Sequence, residues 1–140
     1  MSEISSLTVL VIDDEESHAD IVSRVIAKAG HRVDAARSVE ETLDEIENRD
    51  YDLVITDIFM GGMGGLAGIE KIRQLQPAVM IIAMSAGYSD MSAAEALEKA
   101  REIGADAVLP KPFRLADLFI TVSSLLEGRP RNKNGLGYFY

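Results

Sequence analysis

The sequence predicts an α/β fold, a five-stranded parallel sheet with helices on both faces. Three observations carry this. Short apolar runs rich in β-branched residues alternate with segments of 3.6-residue periodicity. The runs are near-continuously apolar, as expected of strands covered on both sides. Successive runs are joined by helix-length segments, which a parallel sheet requires. The 140 residues suffice for one core and are too few for two comfortable domains. A hydrophobic content of 47% supports an ordered chain.

Residues 7–12 form the first strand, being too short for a helix. From Ser17 onward, Val22, Val25, Ile26 and Ala29 repeat with helical period, and Gly30 is a natural stop. Residues 32–36 are a weaker strand. Ser38 and Glu41 have the spacing of a capping box and open a helix with Val39, Leu43 and Ile46 on one face. Residues 52–56 give the third strand. Leu66, Ile69, Ile72 and Leu75 mark a helix that Pro77 ends. Residues 78–84 are a strongly apolar strand. The next helix spans about 91–103, with Leu97, Ala100 and Ile103 inward, and Gly104 follows. Residues 106–109 are a short strand. Leu118, Phe119, Val122, Leu125 and Leu126 then mark a last amphipathic helix, which begins at Leu115.

Composition narrows the function classes. A net charge of −9 argues against nonspecific nucleic-acid binding, which needs clustered Lys and Arg. The absence of cysteine excludes disulfides and thiolate chemistry. The first apolar run is too short for a membrane span or a signal segment and has no basic flank. A soluble, cytoplasmic protein is the expectation. Residues 1–127 read as one domain and 128–140 as a tail. Residues 128–135, GRPRNKNG, are polar and turn-like, whereas 136–140, LGYFY, end in three aromatics that are costly to leave in water.

In an open parallel sheet, ligands bind beyond the carboxyl ends of the strands. Asp13 and Asp14 follow the first strand, Asp57 ends the third, Ser85 follows the fourth and Lys111 the fifth. The inferred fold therefore collects all five on one rim. Clustered carboxylates repel one another and are tolerable around a cation. Oxygen ligands without Cys or His favour Mg²⁺ over Zn²⁺. A lysine and a hydroxyl opposite them suit a phosphoryl group. This is the equipment for phosphorylating an aspartate. Taken singly, the acids at 13–16 could serve a helix's first turn, and Asp57 before glycines could be a turn residue. Joint placement on successive strand ends favours the chemical reading.

Four stretches carry a family resemblance: LVIDDE at 10–15, VITDIFMGGMGG at 54–65, MSAG at 84–87 and GADAVLPKPF at 104–113. With these the chain resembles the receiver domain of bacterial two-component response regulators, of the CheY-like single-domain type, over about residues 6–127. The resemblance implies a flavodoxin-like (βα)5 fold with strand order 2-1-3-4-5. It implies that Asp57 is the phosphoacceptor, served by a sensor histidine kinase or a histidine phosphotransfer protein. Asp14 and Asp57 would bind Mg²⁺ directly, Asp13 through metal-bound water, and Phe59 through its backbone carbonyl. Lys111 would pair with the phosphoryl oxygens, Ser85 would move towards them, and the Lys111–Pro112 bond would be cis. The readout surface for a downstream protein partner would span about residues 91–126. No direct nucleic-acid binding and no membrane insertion is expected, and monomer against homodimer stays open.

Three departures from the family pattern stand out. Gly61 replaces the proline that commonly follows the methionine. Val108 replaces an aromatic three residues before the lysine, so ring-based coupling to the hydroxyl cannot run through it; Tyr88 or the following helix are alternatives. The segment between Ser85 and Lys111 is a few residues longer than usual. The apolar ring of Phe59 supplies no base for water, so slow autodephosphorylation is expected, faster in Phe59→Asn. The function that follows is Mg²⁺-dependent phosphoacceptance with signalling by partner binding, self-catalysed but not a classical enzyme activity. The rival reading is a degenerate receiver acting as a phosphorylation-independent scaffold. A small flavodoxin-like binding enzyme is more distant, because DDEE at 13–16 repels phosphate unless a metal intervenes.

Overall fold

The computed structural model describes residues 6–58, 65–85 and 93–126. Strands and helices alternate strictly: β1 (Thr8–Ile12), α1 (Glu16–Lys28), β2 (Arg32–Ala36), α2 (Val39–Asn48), β3 (Leu53–Asp57), α3 (Gly65–Leu75), β4 (Met80–Ser85), α4 (Ala93–Glu102), β5 (Ala107–Pro110) and α5 (Leu115–Leu126). The five strands form one sheet in the order β2-β1-β3-β4-β5. Every pairing is parallel. This is the order and fold class that the sequence implied. Phe59, Gly61, residues 86–92 with Tyr88, and residues 127–140 lie outside the described residues.

Side-chain alternation along the strands divides the core in two. Leu10, Ile12, Val54, Ile81 and Val108 point to the face covered by α2, α3 and α4, where they meet Val39, Ile46, Ile69, Ile72 and Ala100. Val9, Val11, Ile55, Ile82 and Met84 point to the other face, against Ala19, Val22 and Ile26 of α1 and Leu118, Val122 and Leu125 of α5. β3 is buried at every position, as its run of apolar residues demands, whereas β2 at the edge is half exposed. Phe119 is a correction: it stands out in solvent, one position beside the buried stripe of α5.

Local signals behave as their chemistry directs. Ser38 caps α2, its Oγ accepting from the Glu41 N–H at 3.1 Å. The Glu41 carboxylate reaches back to accept from Arg37 N at 3.0 Å, so the reciprocal bond falls one residue before the cap. Gly30 and Gly104 end their helices with φ of 101° and 129°, a region closed to most L-residues.

The base of the sheet is fastened by two side chains from the C-terminal end of α3. Arg73 donates to the carbonyls of Pro77, Val79 and Gly104 and to Asp106 Oδ2 at 3.1 Å. Asp106 Oδ2 also accepts from Ile81 N at 2.8 Å, which ties the start of β4 to the start of β5. Gln76 donates to the carbonyls of Ile46 and Arg49 and accepts from Tyr51 N. Both residues thus bridge segments distant in sequence.

Candidate functional site: the carboxylate and lysine rim

The strand register brings the predicted residues to one end of the sheet. Asp57 closes β3 opposite Met84 of β4, and Ser85, one residue on, lies opposite Pro110 of β5. Backbone bonds continue the ladder past the strands: Asp13 N donates to Ala36 O, Ile58 N to Met84 O, and Lys111 N to Ser85 O at 2.8 Å. The backbone beneath Asp13, Asp57, Ser85 and Lys111 is therefore held by the sheet. The Lys111–Pro112 peptide is cis, as expected.

Lys111 joins the two buried acids. Its Nζ donates to Asp57 Oδ2 at 2.5 Å and reaches Asp13 Oδ2 at 3.5 Å. Asp13 is 1% exposed, Asp57 is buried, and Ser85 is fully enclosed. Burial pushes the pKa of the Lys111 ammonium down, but the hydrogen bond and charge of Asp57, followed by those of Asp13, outweigh it and leave it raised. Lys111 is thus firmly cationic at neutral pH. The lysine ammonium lies between two buried carboxylates.

Asp13 has two duties. Its Oδ1 accepts from Glu15 N at 2.9 Å and shapes the entry to α1, which has no side-chain cap of its own. Its Oδ2 faces the pocket and is also hydrogen bonded to His18 Nδ1 at 2.5 Å. Asp14 projects into solvent at the same rim. Asp13 thus spends one oxygen on the entry to α1 and turns the other towards Lys111 and His18.

His18 escaped the sequence reading. It sits in the first turn of α1, and its ring meets Phe113 edge-on with centroids 5.6 Å apart. The available signal was position: an imidazole five residues after a rim acid, in a chain with two histidines.

The donor chemistry fits a hard divalent cation, since Asp13 and Asp57 supply buried carboxylate oxygens at one rim. Among the described residues, no three acidic or histidine side chains already converge in metal-binding geometry. Phe59, whose carbonyl is an expected ligand, lies outside them. Among the described residues, too, no helix is long and apolar enough to cross a membrane.

Comparison with known proteins matches this architecture. The family model of the response regulator receiver domain aligns with residues 9–123. The chain is 34% identical over 128 residues to the sensory/regulatory protein RpfC of Xanthomonas campestris pv. campestris (strain 8004), covering 89% of this chain and 17% of RpfC. A CheY-like receiver domain protein from Methanospirillum hungatei JF-1 superposes with a TM-score of 0.79 at 28% identity, over 88% of this chain and 95% of that one. A response regulator protein from Burkholderia pseudomallei, solved with a phosphorylated aspartic acid, a calcium ion and citrate, gives 0.71 at 25% identity, over 89% and 76%.

The chain belongs to the response regulator receiver domain family of two-component signalling. It spans about a sixth to a quarter of the length of the curated relatives it matches.

Proposed function

We propose that this chain accepts a phosphoryl group on Asp57 and signals through protein contacts. The observation that carries the reading is the 2.5 Å contact between Lys111 Nζ and Asp57 Oδ2 in a pocket shared with buried Asp13. It is supported by the B. pseudomallei response regulator protein, which was solved with a phosphorylated aspartic acid and a calcium ion. Residues 1–127 would form the receiver unit and 128–140 a tail.

The donor is a phosphohistidine on a sensor kinase or a histidine phosphotransfer protein. An Asp57 oxygen attacks phosphorus in line, the P–N bond breaks, and the leaving imidazole keeps the bonding pair and takes up a proton. Lys111 is placed to turn from the Asp57 carboxylate to the phosphoryl oxygens and offset their charge. Ser85 supplies a hydroxyl one strand away. Asp14 and Asp57 directly, Asp13 through water, and the Phe59 carbonyl would hold Mg²⁺, which when bound neutralises charge on the transferring oxygens. The acyl phosphate then biases a pre-existing equilibrium of the readout surface at 91–126.

One observation favours the scaffold alternative. Val108 is buried in β5 without a ring that could swing as Ser85 moves. Incubation with Mg²⁺ and a small phosphodonor, followed by intact mass, separates the two. Phosphoacceptance predicts a gain of one phosphoryl mass that Asp57→Asn abolishes. No gain, together with no affinity for Mg²⁺, selects the scaffold.

A further inference from the structure

Helix α5 carries more apolar surface than its core contact uses. Leu118, Val122 and Leu125 are buried, but Leu115, Phe119 and Ile120 are 50%, 53% and 57% exposed. Ile120 forms part of the wall of a cleft of about 300 Å³ between α5 and β5. Val108, Pro110 and Pro112 line it with apolar surface, and Thr121 and Asp117, whose carboxylate already accepts from Arg114, bring side-chain oxygens to it. Thr121 Oγ1 donates to its own helix at Asp117 O, which leaves its lone pairs as acceptors. An apolar slot with oxygen acceptors suits a flat ring bearing a hydroxyl.

The same chain supplies such rings. Three of its eight Phe and Tyr residues stand together as Tyr138, Phe139 and Tyr140. We propose that residues 136–140 dock in cis on this cleft, with a tyrosine ring seated over Val108 and Ile120.

Reach allows it. Ile120 lies six residues before the end of α5, about 9 Å back along the helix axis. The connection from Leu126 to Tyr138 extends to about 40 Å at full stretch. Gly128, Pro130, Asn132, Asn134 and Gly135 suit a reversal. Charge agrees. Residues 127–140 contain Arg129, Arg131 and Lys133 against Glu127, a formal +2, which leaves −11 on the rest of the chain. Helix α4 packs beside β5 and exposes Glu95 and Glu102 along with Lys99, while Glu98 is paired with Arg101 at 2.7 Å. Size favours a segment over a second folded copy. The cleft accommodates about one ring, whereas a stable dimer buries about 800 Å² on each partner. A short tether also holds the segment at roughly millimolar effective concentration.

The absence of cysteine makes a single spin label unambiguous. The full chain with Asn134→Cys carries the label, and methyl resonances of Val and Ile are read. Docking in cis predicts strong broadening at Val108 and Ile120, little at Ile26 and Ile46, and loss of the effect in Tyr138→Ser/Tyr140→Ser. Ile120→Glu, a change at an exposed position, also abolishes it at Val108. No selective broadening overturns the proposal. So does broadening that appears only when spin-labelled chain is mixed with isotope-labelled chain, which assigns the cleft to a second copy. Neither readout involves phosphorylation, so the result is independent of the role proposed for Asp57.

Discussion

Lys111 Nζ lies 2.5 Å from Asp57 Oδ2, although the two residues are 54 positions apart and end different strands. β4 separates those strands, so the ion pair bridges across one intervening strand at the rim. Replacing Lys111 by Met removes the ammonium that joins two buried acids while keeping an unbranched stem. Uptake of phosphoryl from a small donor should fall by roughly 10²–10³. Affinity for Mg²⁺, followed by titration of the unmodified chain, should hold or rise, because the carboxylates lose their internal counter-ion. A matching loss of metal affinity would show that Lys111 organises the pocket and does not act on the phosphoryl group.

Alkaline pH should weaken the fold. Burial raises the Tyr51 pKa, and its hydrogen bond to Asp34 Oδ2 at 2.7 Å and the charge of Asp34 raise it further. Lys111 is raised as well, Asp57 and Asp13 outweighing burial. Unfolded Tyr and Lys release protons near about pH 10 and 10.4. Above those values the unfolded chain loses protons that the native state keeps, so the contribution is complete below about pH 10 and declines as pH rises towards the native pKa values. Urea midpoints measured from pH 8 to 11 should fall over the upper part of the range. The fall should be shallower in Tyr51→Phe; an unchanged slope in that variant would exclude Tyr51 as a contributor.

The two left-handed glycines should differ when given a methyl group. Nothing lies within 4 Å of a Cβ built on Gly30, whereas one on Gly104 would stand 3.3 Å from Arg73 Nε. Each alanine incurs backbone strain of about 1–3 kcal/mol. Gly104→Ala should be the more costly in urea denaturation, because Arg73 must also shift from its bonds to Gly104 O and Asp106.

Adjacent residues on α5 should respond differently to truncation. Leu118 is fully buried between α5 and the sheet, so Leu118→Ala should cost about 2–5 kcal/mol. Phe119→Ala should change stability by no more than about 0.5 kcal/mol. Comparable losses would mean that Phe119 packs against something beyond the described residues.

That contrast shows where periodicity alone stops. A run such as Leu118-Phe119-Ile120 is apolar at three successive positions, and a helix can bury only part of it. The strands were legible because each is a short apolar run, and β2 was the faint one because an edge strand buries less. Asp57, Ser85 and Lys111 could be placed on one rim from the strand ends alone. His18 could not, because its contact with Asp13 depends on how the chain turns between β1 and α1. The links made by Arg73 and Gln76 were equally invisible: polar residues at a helix end do not announce which distant carbonyls they meet.

The links at Arg73 and Gln76 lie at the end of the sheet opposite the rim. In mechanical terms the fold is a cantilever, clamped at its root by side-chain bonds that cross between loops and loaded at its tip, where Asp57 and Lys111 meet. A deflection at the tip finds a stiff root below it. Across β4 from that tip, β5 borders the cleft that Val108 helps to line.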